Sequence, residues 1–285
     1  MNTLNWFPFS IVSVVLFGVA MALYKLPSAK TQSKAATAFW MLASSTVLSA
    51  IVFYQYLAIP NASTIWFALA WGIGFALISI LQMYALGHVD TNSLFPITTT
   101  ISLVGSVLLG LFLFSDSLSL VQIAGIVVGI VTVYLFLYKG GNLQYSKGVV
   151  VIGSSIIVLS VFNKIVQKFA ADSVNIQNYQ VWQYLFGTLC ALVIFFIYNR
   201  REWRGQLFSG AIKTGLLISI PSFLGGWALL VALTKGPFSL ITALHSMYIF
   251  VTALTAHLLF KESFTIRKVL LICLAIGAIL LIRLG

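Results

Sequence analysis

The chain has 285 residues, of which 60% are hydrophobic and only 7% are charged. Soluble domains average about 25% charged residues, so this sequence cannot build a water-exposed surface and must be covered largely by lipid. The 16 Lys and Arg outnumber the 5 Asp and Glu, which gives a net charge of +11. Because the basic residues are scattered along the chain, this excess is typical of membrane loops and disfavours a nucleic-acid partner.

Ten apolar segments are long enough to be transmembrane helices, since about 20 apolar residues cross a hydrocarbon layer of roughly 30 Å. These segments are residues 7–23, 35–57, 64–86, 93–114, 118–137, 148–170, 176–198, 211–233, 237–260 and 264–284. The connections between them are short and leave no room for a catalytic domain, so we expect neither an enzyme nor a bound cofactor or metal. The sequence therefore predicts an all-α polytopic membrane protein.

Residues at several helix ends agree with these boundaries. Ser119 and Gln122 have the spacing of a capping box at the start of the fifth span. Pro237 stands in the first turn of the ninth span, where its missing N–H is tolerated. Asp116 and Glu262 precede the fifth and tenth spans, where a carboxylate favours the positive end of a helix dipole. We therefore interpret these two acids as structural; the alternative is a role in ion coupling.

The two halves of the chain resemble each other at a constant shift of 146 residues (262 against 116). Residues 116–119, Asp-Ser-Leu-Ser, align with residues 262–265, Glu-Ser-Phe-Thr, and Ser93 aligns with Ser239. Each half holds five spans, an odd number, so the second half enters the membrane from the opposite side. Two such inverted repeats that exchange shapes give an inward-open and an outward-open state of similar energy, which is the basis of alternating access.

The aligned acidic segments also carry a resemblance to a known family. Each opens the last span of its half with an acid, one further residue, an apolar residue and a Ser or Thr, and Gln122 and Gly125 follow in the first copy. Together with the ten spans, this pattern resembles the EamA-type transporters of the drug/metabolite transporter superfamily. The resemblance covers nearly the whole chain, as two EamA-like five-helix repeats at residues 1–145 and 146–285.

This resemblance implies a secondary transporter, often an exporter of amino acids or other small metabolites, in a bacterial plasma (inner) membrane. The chain departs from the family before the acid, where Gly is common and Ser115 and Lys261 stand here. The sequence has no G-x-x-x-x-G-K-[ST] loop, which disfavours ATP hydrolysis. A channel would need a polar stripe along its helices, whereas these spans hold one or two polar residues at mid-depth. A channel or a non-transporting membrane scaffold is the alternative function.

Small residues in two corresponding spans point to the position of a solute site. Gly72 and Gly74 lie near the middle of the third span, and Pro221, Gly225 and Gly226 lie in the eighth. In transporters with inverted repeats, paired spans interrupted by Gly or Pro border the site, so we expect helix breaks at these residues. The alternative is that the small residues only allow close packing of helices.

His245 is the most prominent polar residue at membrane depth, eight residues into the ninth span. Tyr248 lies one turn further on, Trp227 is in the eighth span, and Thr99 is the counterpart of His245 at the shift of 146 residues. Polar side chains at this depth are costly and usually face the interior of the bundle. We expect these four residues to bind the solute, and His245 to carry a proton as coupling ion. The alternative is a neutral histidine that bonds to a neighbouring helix.

Three further residues, Asn163, Gln82 and Trp71, are expected to bind the solute. Lys164, next to Asn163, is interpreted as a side chain that snorkels to the headgroups. The five acids, all at or outside span ends, are Asp90, Asp116, Asp172, Glu202 and Glu262. A site without a buried acid suits a neutral, zwitterionic or anionic solute better than a lipophilic cation. Besides this small-molecule solute and membrane lipid, we expect no macromolecular partner other than a second copy, so that the protein is a monomer or a homodimer.

The distribution of Lys and Arg predicts the orientation in the membrane. With an even number of spans both termini share one side, which holds Lys164, Lys168, Lys235 and Arg283. The opposite side holds Lys25, Lys30, Lys34, Lys139, Lys147, Arg200, Arg201, Arg204, Lys213, Lys261, Arg267 and Lys268. Because basic loops face the cytoplasm, both termini face outward. A carboxy-terminal alkaline phosphatase fusion should be active and a green fluorescent protein fusion dark; the reverse pattern would contradict this orientation.

Overall fold

The structure, a computed structural model, describes residues 6–87, 91–137, 147–198, 205, 207, 208, 210–261 and 265–284. These residues form helices and no strand. The helices are α1 (Phe7–Leu23), α2 (Leu26–Ala29), α3 (Lys34–Val52), α4 (Ala62–Ala85), α5 (Thr91–Leu113), α6 (Leu120–Leu137), α7 (Lys147–Ser173), α8 (Ile176–Tyr198), α9 (Ala211–Leu233), α10 (Phe238–His245), α11 (Tyr248–Phe260) and α12 (Ile266–Leu284). A short 3₁₀ helix, Tyr54–Tyr56, follows α3.

Seven helices within the described residues are long and apolar enough to cross a membrane, with α10 and α11 counted together as one of them. Two shorter apolar stretches, Ile101–Leu113 and Leu120–Leu135, belong to α5 and α6. Large apolar side chains cover the outside of the bundle; Val158 and Leu258, for example, are 68% and 71% exposed. Such a surface requires lipid around it. The polytopic, all-helical membrane architecture predicted from the sequence is confirmed.

The helices pack as a bundle around one principal apolar core. In this bundle α4 packs against α7 and α8, and α3 packs against α8 and α9. Helix α1 packs against α9 and against both α10 and α11, while α5 packs against α7 and α10. The last helices of the two halves, α6 and α12, pack against each other.

The ninth predicted span, residues 237–260, is interrupted instead of continuous. Helix α10 ends at His245 and α11 begins at Tyr248. Between them the Met247 N–H donates to Leu244 O at 2.9 Å and the Phe250 N–H to Met247 O at 3.1 Å. These are tight i to i+3 bonds, which in the middle of a helix often mark a hinge. The sequence contains no Gly or Pro at this point, so the interruption was not predicted.

The helix breaks predicted in the third and eighth spans are not found, and this expectation is corrected. Helix α4 continues through Gly72 and Gly74, and α9 continues through Pro221, Gly225 and Gly226. A proline removes one hydrogen bond from a membrane helix, but the surrounding helices can compensate for the loss, so that the helix continues.

The glycines instead allow neighbouring helices to approach closely. A Cβ atom added to Gly72 would lie 2.6 Å from the backbone nitrogen of Gly187, in α8. One added to Gly74 would overlap the side-chain oxygen of Asn163, in α7. One added to Gly225 would lie 3.0 Å from the Phe17 ring, in α1. These contacts favour the packing interpretation of the small residues.

The capping box predicted at the start of the fifth span is confirmed. The Ser119 N–H donates to Gln122 Oε1 at 3.0 Å, and the Gln122 N–H donates to Ser119 Oγ at 3.2 Å. Asp116 has a different helix as its partner, because its carboxylate accepts the Ser239 N–H at 2.6 Å. Ser239 lies in the first turn of α10, so Asp116 stabilises the positive end of that helix. Glu262, its counterpart at the shift of 146 residues, lies outside the described residues.

We expect Gly72→Ala to destabilise the protein because its Cβ would meet backbone atoms of α8. Overpacking of this kind costs about 1–3 kcal/mol, which lowers the unfolding midpoint by several degrees. The matched control is Gly277→Ala in α12, since a Cβ at Gly277 has no atom within 4 Å. Thermal unfolding in detergent measures both. Equal midpoints for the two variants would show that α4 and α8 do not pack closely at Gly72.

Candidate functional site

A cavity of about 90 Å³ lies inside the bundle, where helices from both halves of the chain converge. It is lined by Phe17 and Met21 of α1; Trp71, Phe75, Ile78 and Gln82 of α4; Thr98, Thr99 and Ser102 of α5; Ser160, Asn163, Lys164 and Gln167 of α7; Leu229 of α9; His245 of α10; and Tyr248 of α11. None of these lining residues is acidic. A volume of this size accommodates several water molecules or a small part of a solute.

The interruption of the ninth span places two of the predicted residues at the cavity wall. His245 is the last residue of α10, Tyr248 is the first of α11, and their rings are 5.5 Å apart. The Tyr248 hydroxyl is hydrogen-bonded to Thr99 Oγ1 at 3.1 Å. Thr99, chosen from sequence as the counterpart of His245, therefore reaches the same cavity through a contact with Tyr248.

His245 is held on one side by α1. Its Nδ1 lies 3.1 Å from Ser13 Oγ, and its ring meets the Phe17 ring edge-on at a centroid distance of 4.8 Å. Among the described residues, Nε2 has no hydrogen-bond partner. The two interpretations of this histidine are thus compatible, since one nitrogen bonds to a neighbouring helix and the other is available to a solute.

Lys164 points into the bundle and not toward the headgroups, so the snorkelling interpretation is wrong. Its Nζ lies 3.3 Å from Ser102 Oγ and 3.4 Å from Ser106 Oγ, both in α5. Ser102 and Ser106 are buried. The two hydroxyls lie one turn apart on α5 and face α7, which gives the ammonium group polar contacts inside the bundle.

The third and sixth spans contribute amide groups and an aromatic wall. Asn163 Nδ2 donates to Trp71 O at 3.4 Å, while Asn163 Oδ1 and Gln82 Oε1 are buried and have no hydrogen-bond partner among the described residues. The Trp71 ring stacks on Phe75 with a centroid distance of 4.4 Å. Buried polar atoms without partners are rare in proteins, so these oxygens are available to accept hydrogen bonds from water or a solute.

Residues 147–284 match the EamA-like transporter family. By this match, the second half of the chain belongs to the EamA-like transporter family. No curated protein sequence matches the chain. Among 27 matching chains of solved structures, one described only as the crystal structure of a protein has a TM-score of 0.76 and 12% identity, and the alignment covers 98% of this chain and 96% of that one. At this identity the likeness establishes a common fold.

Trp227 is the one predicted solute-binding residue that this EamA-like transporter does not bring to the cavity. Its ring packs against Phe53 instead, with a centroid distance of 4.5 Å. Leu229 lines the cavity from the same helix. Two residues along a helix are rotated by about 200°, so Trp227 and Leu229 face opposite directions. This rotation could not be fixed from the sequence, because apolar residues are distributed around the whole circumference of α9.

Ser160 and Gln167 line the cavity and were not among the predicted residues. They lie on the same face of α7 as Asn163 and Lys164, at spacings of three and four residues. Residues at these spacings are neighbours on a helix surface. These four residues are more than the one or two polar residues expected at mid-depth of a span, and they were readable from the sequence, provided that α7 was taken as a helix with one face turned inward.

Buried polar groups continue from the cavity toward the start of α8. The Trp71 ring meets the Tyr184 ring edge-on at a centroid distance of 5.5 Å. Beyond it, Tyr179 Oη, Gln180 Nε2 and Gln183 Oε1 are buried without a hydrogen-bond partner among the described residues. These residues were also not predicted, although three polar side chains in the first two turns of an apolar span are a visible signal.

A second and larger cavity, of about 1020 Å³, lies between α4, α7 and α8 near the start of α3. Lys30, Gln32 and Lys34 border it, and aliphatic residues form much of the remaining wall. None of the predicted solute-binding residues lies there. The smaller central cavity, which gathers six of the seven, is therefore the candidate site.

The central cavity should become accessible to water during the transport cycle. We expect Thr99→Cys to react with a charged, water-soluble methanethiosulfonate when Cys190 and Cys273 are replaced by Ala. The thiolate is the reactive form and needs a polar environment. The matched control is Val158→Cys, on the outer surface of α7, which should not react. Reaction at Val158 alone, or at neither position, would show that water does not reach this cavity.

Proposed function

We propose that this EamA-like transporter moves a small polar metabolite across the membrane by alternating access. The solute is an amino acid or a related neutral, zwitterionic or anionic molecule, and export is the proposed direction. The observation that carries the proposal is the small, acid-free polar cavity between helices of both halves. Family membership supports a transporter of the drug/metabolite type.

The ten spans are proposed to be two inverted repeats, residues 1–145 and 146–285. In the proposed repeats, the counterparts are α7 for α1, α8 for α3, α9 for α4, the pair α10 and α11 for α5, and α12 for α6. If each helix is exchanged with its counterpart, the packing of α4 on α8 becomes the packing of α3 on α9. The same exchange converts the packing of α1 on α9 into that of α4 on α7. Both members of each pair are present, which supports a two-fold relation between the halves.

A carrier fits the cavity better than a channel does. Channels need a continuous polar path, whereas this cavity of about 90 Å³ is bordered by the rings of Phe17, Trp71 and Phe75. The interruption between α10 and α11 provides a hinge next to the cavity, where a change of angle would open one side and close the other. His245 is the proposed proton carrier, because its Nε2 is unpaired in the described structure.

The test of this function is counterflow in proteoliposomes. Purified protein is reconstituted, and labelled amino acids and organic acids are screened with and without the unlabelled compound inside. We expect the internal compound to accelerate uptake, because a carrier returns faster when loaded. Uptake that is independent of internal compound would indicate a channel, and no protein-dependent uptake of any compound would indicate a scaffold.

Variants of His245 test whether the cavity is the transport site. We expect His245→Ala to reduce counterflow at least tenfold, since a lost hydrogen bond to a polar solute costs about 1.5 kcal/mol or more. His245→Gln should retain part of the activity, because an amide also offers a donor and an acceptor. The matched control is His257→Ala in α11, outside the cavity.

Ser13→Ala separates a binding role of His245 from a structural one. It removes only the bond to Nδ1, so it should affect transport much less than His245→Ala at equal amounts of folded protein. Equal losses in both variants, in proportion to lost folded protein, would show that His245 has only a structural role.

A further inference from the structure

Lys164 is a half-buried basic group that lines the cavity, and the described structure provides no opposite charge for it. Its two contacts are neutral hydroxyls at 3.3 and 3.4 Å, longer than the roughly 2.7–2.9 Å of a charge-assisted hydrogen bond to an anion. An ammonium group has three N–H donors, so at least one donor is left without a protein acceptor among the described residues.

The acids that the structure describes are engaged elsewhere. Asp172 is paired with Lys168 at 2.9 Å, and Asp116 accepts the Ser239 N–H at 2.6 Å. None of the described residues that line the cavity is acidic. A cation at membrane depth is energetically costly and usually marks a functional position. The missing opposite charge would therefore come from a bound molecule.

We infer that Lys164, positioned by Ser102 and Ser106, binds the carboxylate of the transported solute. The inference rests on the proposed function and narrows it to small carboxylic acids. The carboxylate would replace weak hydroxyl contacts with charge-assisted bonds to the ammonium group.

The amide oxygens beside Lys164 need hydrogen-bond donors from the solute, whereas Lys164 needs an acceptor. Asn163 Oδ1 and Gln82 Oε1 are buried acceptors without donors in the described structure. Asn163 is the neighbour of Lys164 on α7, and both line the cavity with Gln82. A solute with an amino or hydroxyl group near its carboxylate would satisfy both kinds of group at once. The solute class is therefore small 2-amino or 2-hydroxy carboxylic acids.

The experiment compares each acid with its carboxamide, in which a neutral group replaces the carboxylate. Counterflow is measured with alanine, serine, lactate and glycolate, each beside its amide. The wild-type protein should prefer the acid of at least one pair by tenfold or more. In Lys164→Gln the acid should lose this advantage while transport of the amide is kept, and Lys164→Arg should retain part of the preference.

The matched control is Lys168→Gln, one turn further along α7, because Lys168 bonds to Asp172 and Leu233 O and does not line the cavity. Its acid preference should equal that of the wild type. Ser106→Ala, which alters a positioning residue behind Lys164, should weaken the preference without abolishing transport of the amide. An unchanged preference in Lys164→Gln would overturn the inference, and so would a wild-type preference for the amide in every pair.

A binding measurement keeps the inference independent of transport. Protection of Thr99→Cys from the thiol reagent by each acid and amide is measured with and without the additional substitution Lys164→Gln, at equal amounts of folded protein. If acids protect only the protein that retains Lys164 but no counterflow is found, the proposed transport function fails and the anion site stands. If neither acids nor amides distinguish the two proteins, the anion site fails, whatever the result of the counterflow experiment.

Discussion

The hydrocarbon interior of a bilayer offers no hydrogen bonds, so each polar group at that depth must find its partner within the protein. Most hydroxyls in this bundle do so within their own helix: Ser45 donates to Met41 O at 2.9 Å, and Thr188 donates to Tyr184 O at 2.8 Å. Charges and amides cannot be satisfied in this way by one helix. The central cavity is therefore distinguished by a cation, Lys164, that lies beside the unpaired amide oxygens of Asn163 and Gln82.

Helix α1 holds the interrupted ninth span in place. Ser13 of α1 contacts His245 at the end of α10, and Thr252 of α11 donates to Gly18 O at 3.1 Å. A Cβ on Gly18 would collide with Val251, so the backbones of α1 and α11 are close. Because α1 contacts both halves of the span, a change in the angle between α10 and α11 must be accompanied by a shift of α1. This links the cavity wall to the N-terminal end of α10, where the Ser239 N–H donates to Asp116.

Helix α4 has a comparable role on the other side of the cavity. Gly72 brings it against α8, and Gly74 leaves room for the side chain of Asn163 in α7. Asn163 in turn donates to Trp71 O. The position of α7, and with it the direction of Lys164 toward α5, depends on these contacts. Small residues on one helix thus orient polar residues on another.

Features that depend on residues close together in the chain were determined by the sequence alone. Composition and the length of the apolar runs determined a polytopic helical membrane protein, and the acidic segment that opens the last span pointed to the family. Ser119 and Gln122 are three residues apart, and both hydrogen bonds of the capping box predicted for them are formed. The depth of His245, Thr99, Asn163 and Gln82 in their spans also followed from counting residues, and all four reach the cavity.

The neighbours of each helix, and the rotation of a helix without a row of polar residues, were decided only by the tertiary structure. Lys164 contacts hydroxyls 62 and 58 residues away, and Asp116 stabilises a helix 123 residues away instead of its own. Trp227 faces away from the cavity, which the sequence did not indicate because apolar residues surround α9 on all sides. The sequence near His245 contains no Gly or Pro that would predict the interruption after it. Counting residues fixes the position of a side chain along the helix axis, whereas its partners and the helix breaks depend on how all the helices pack together.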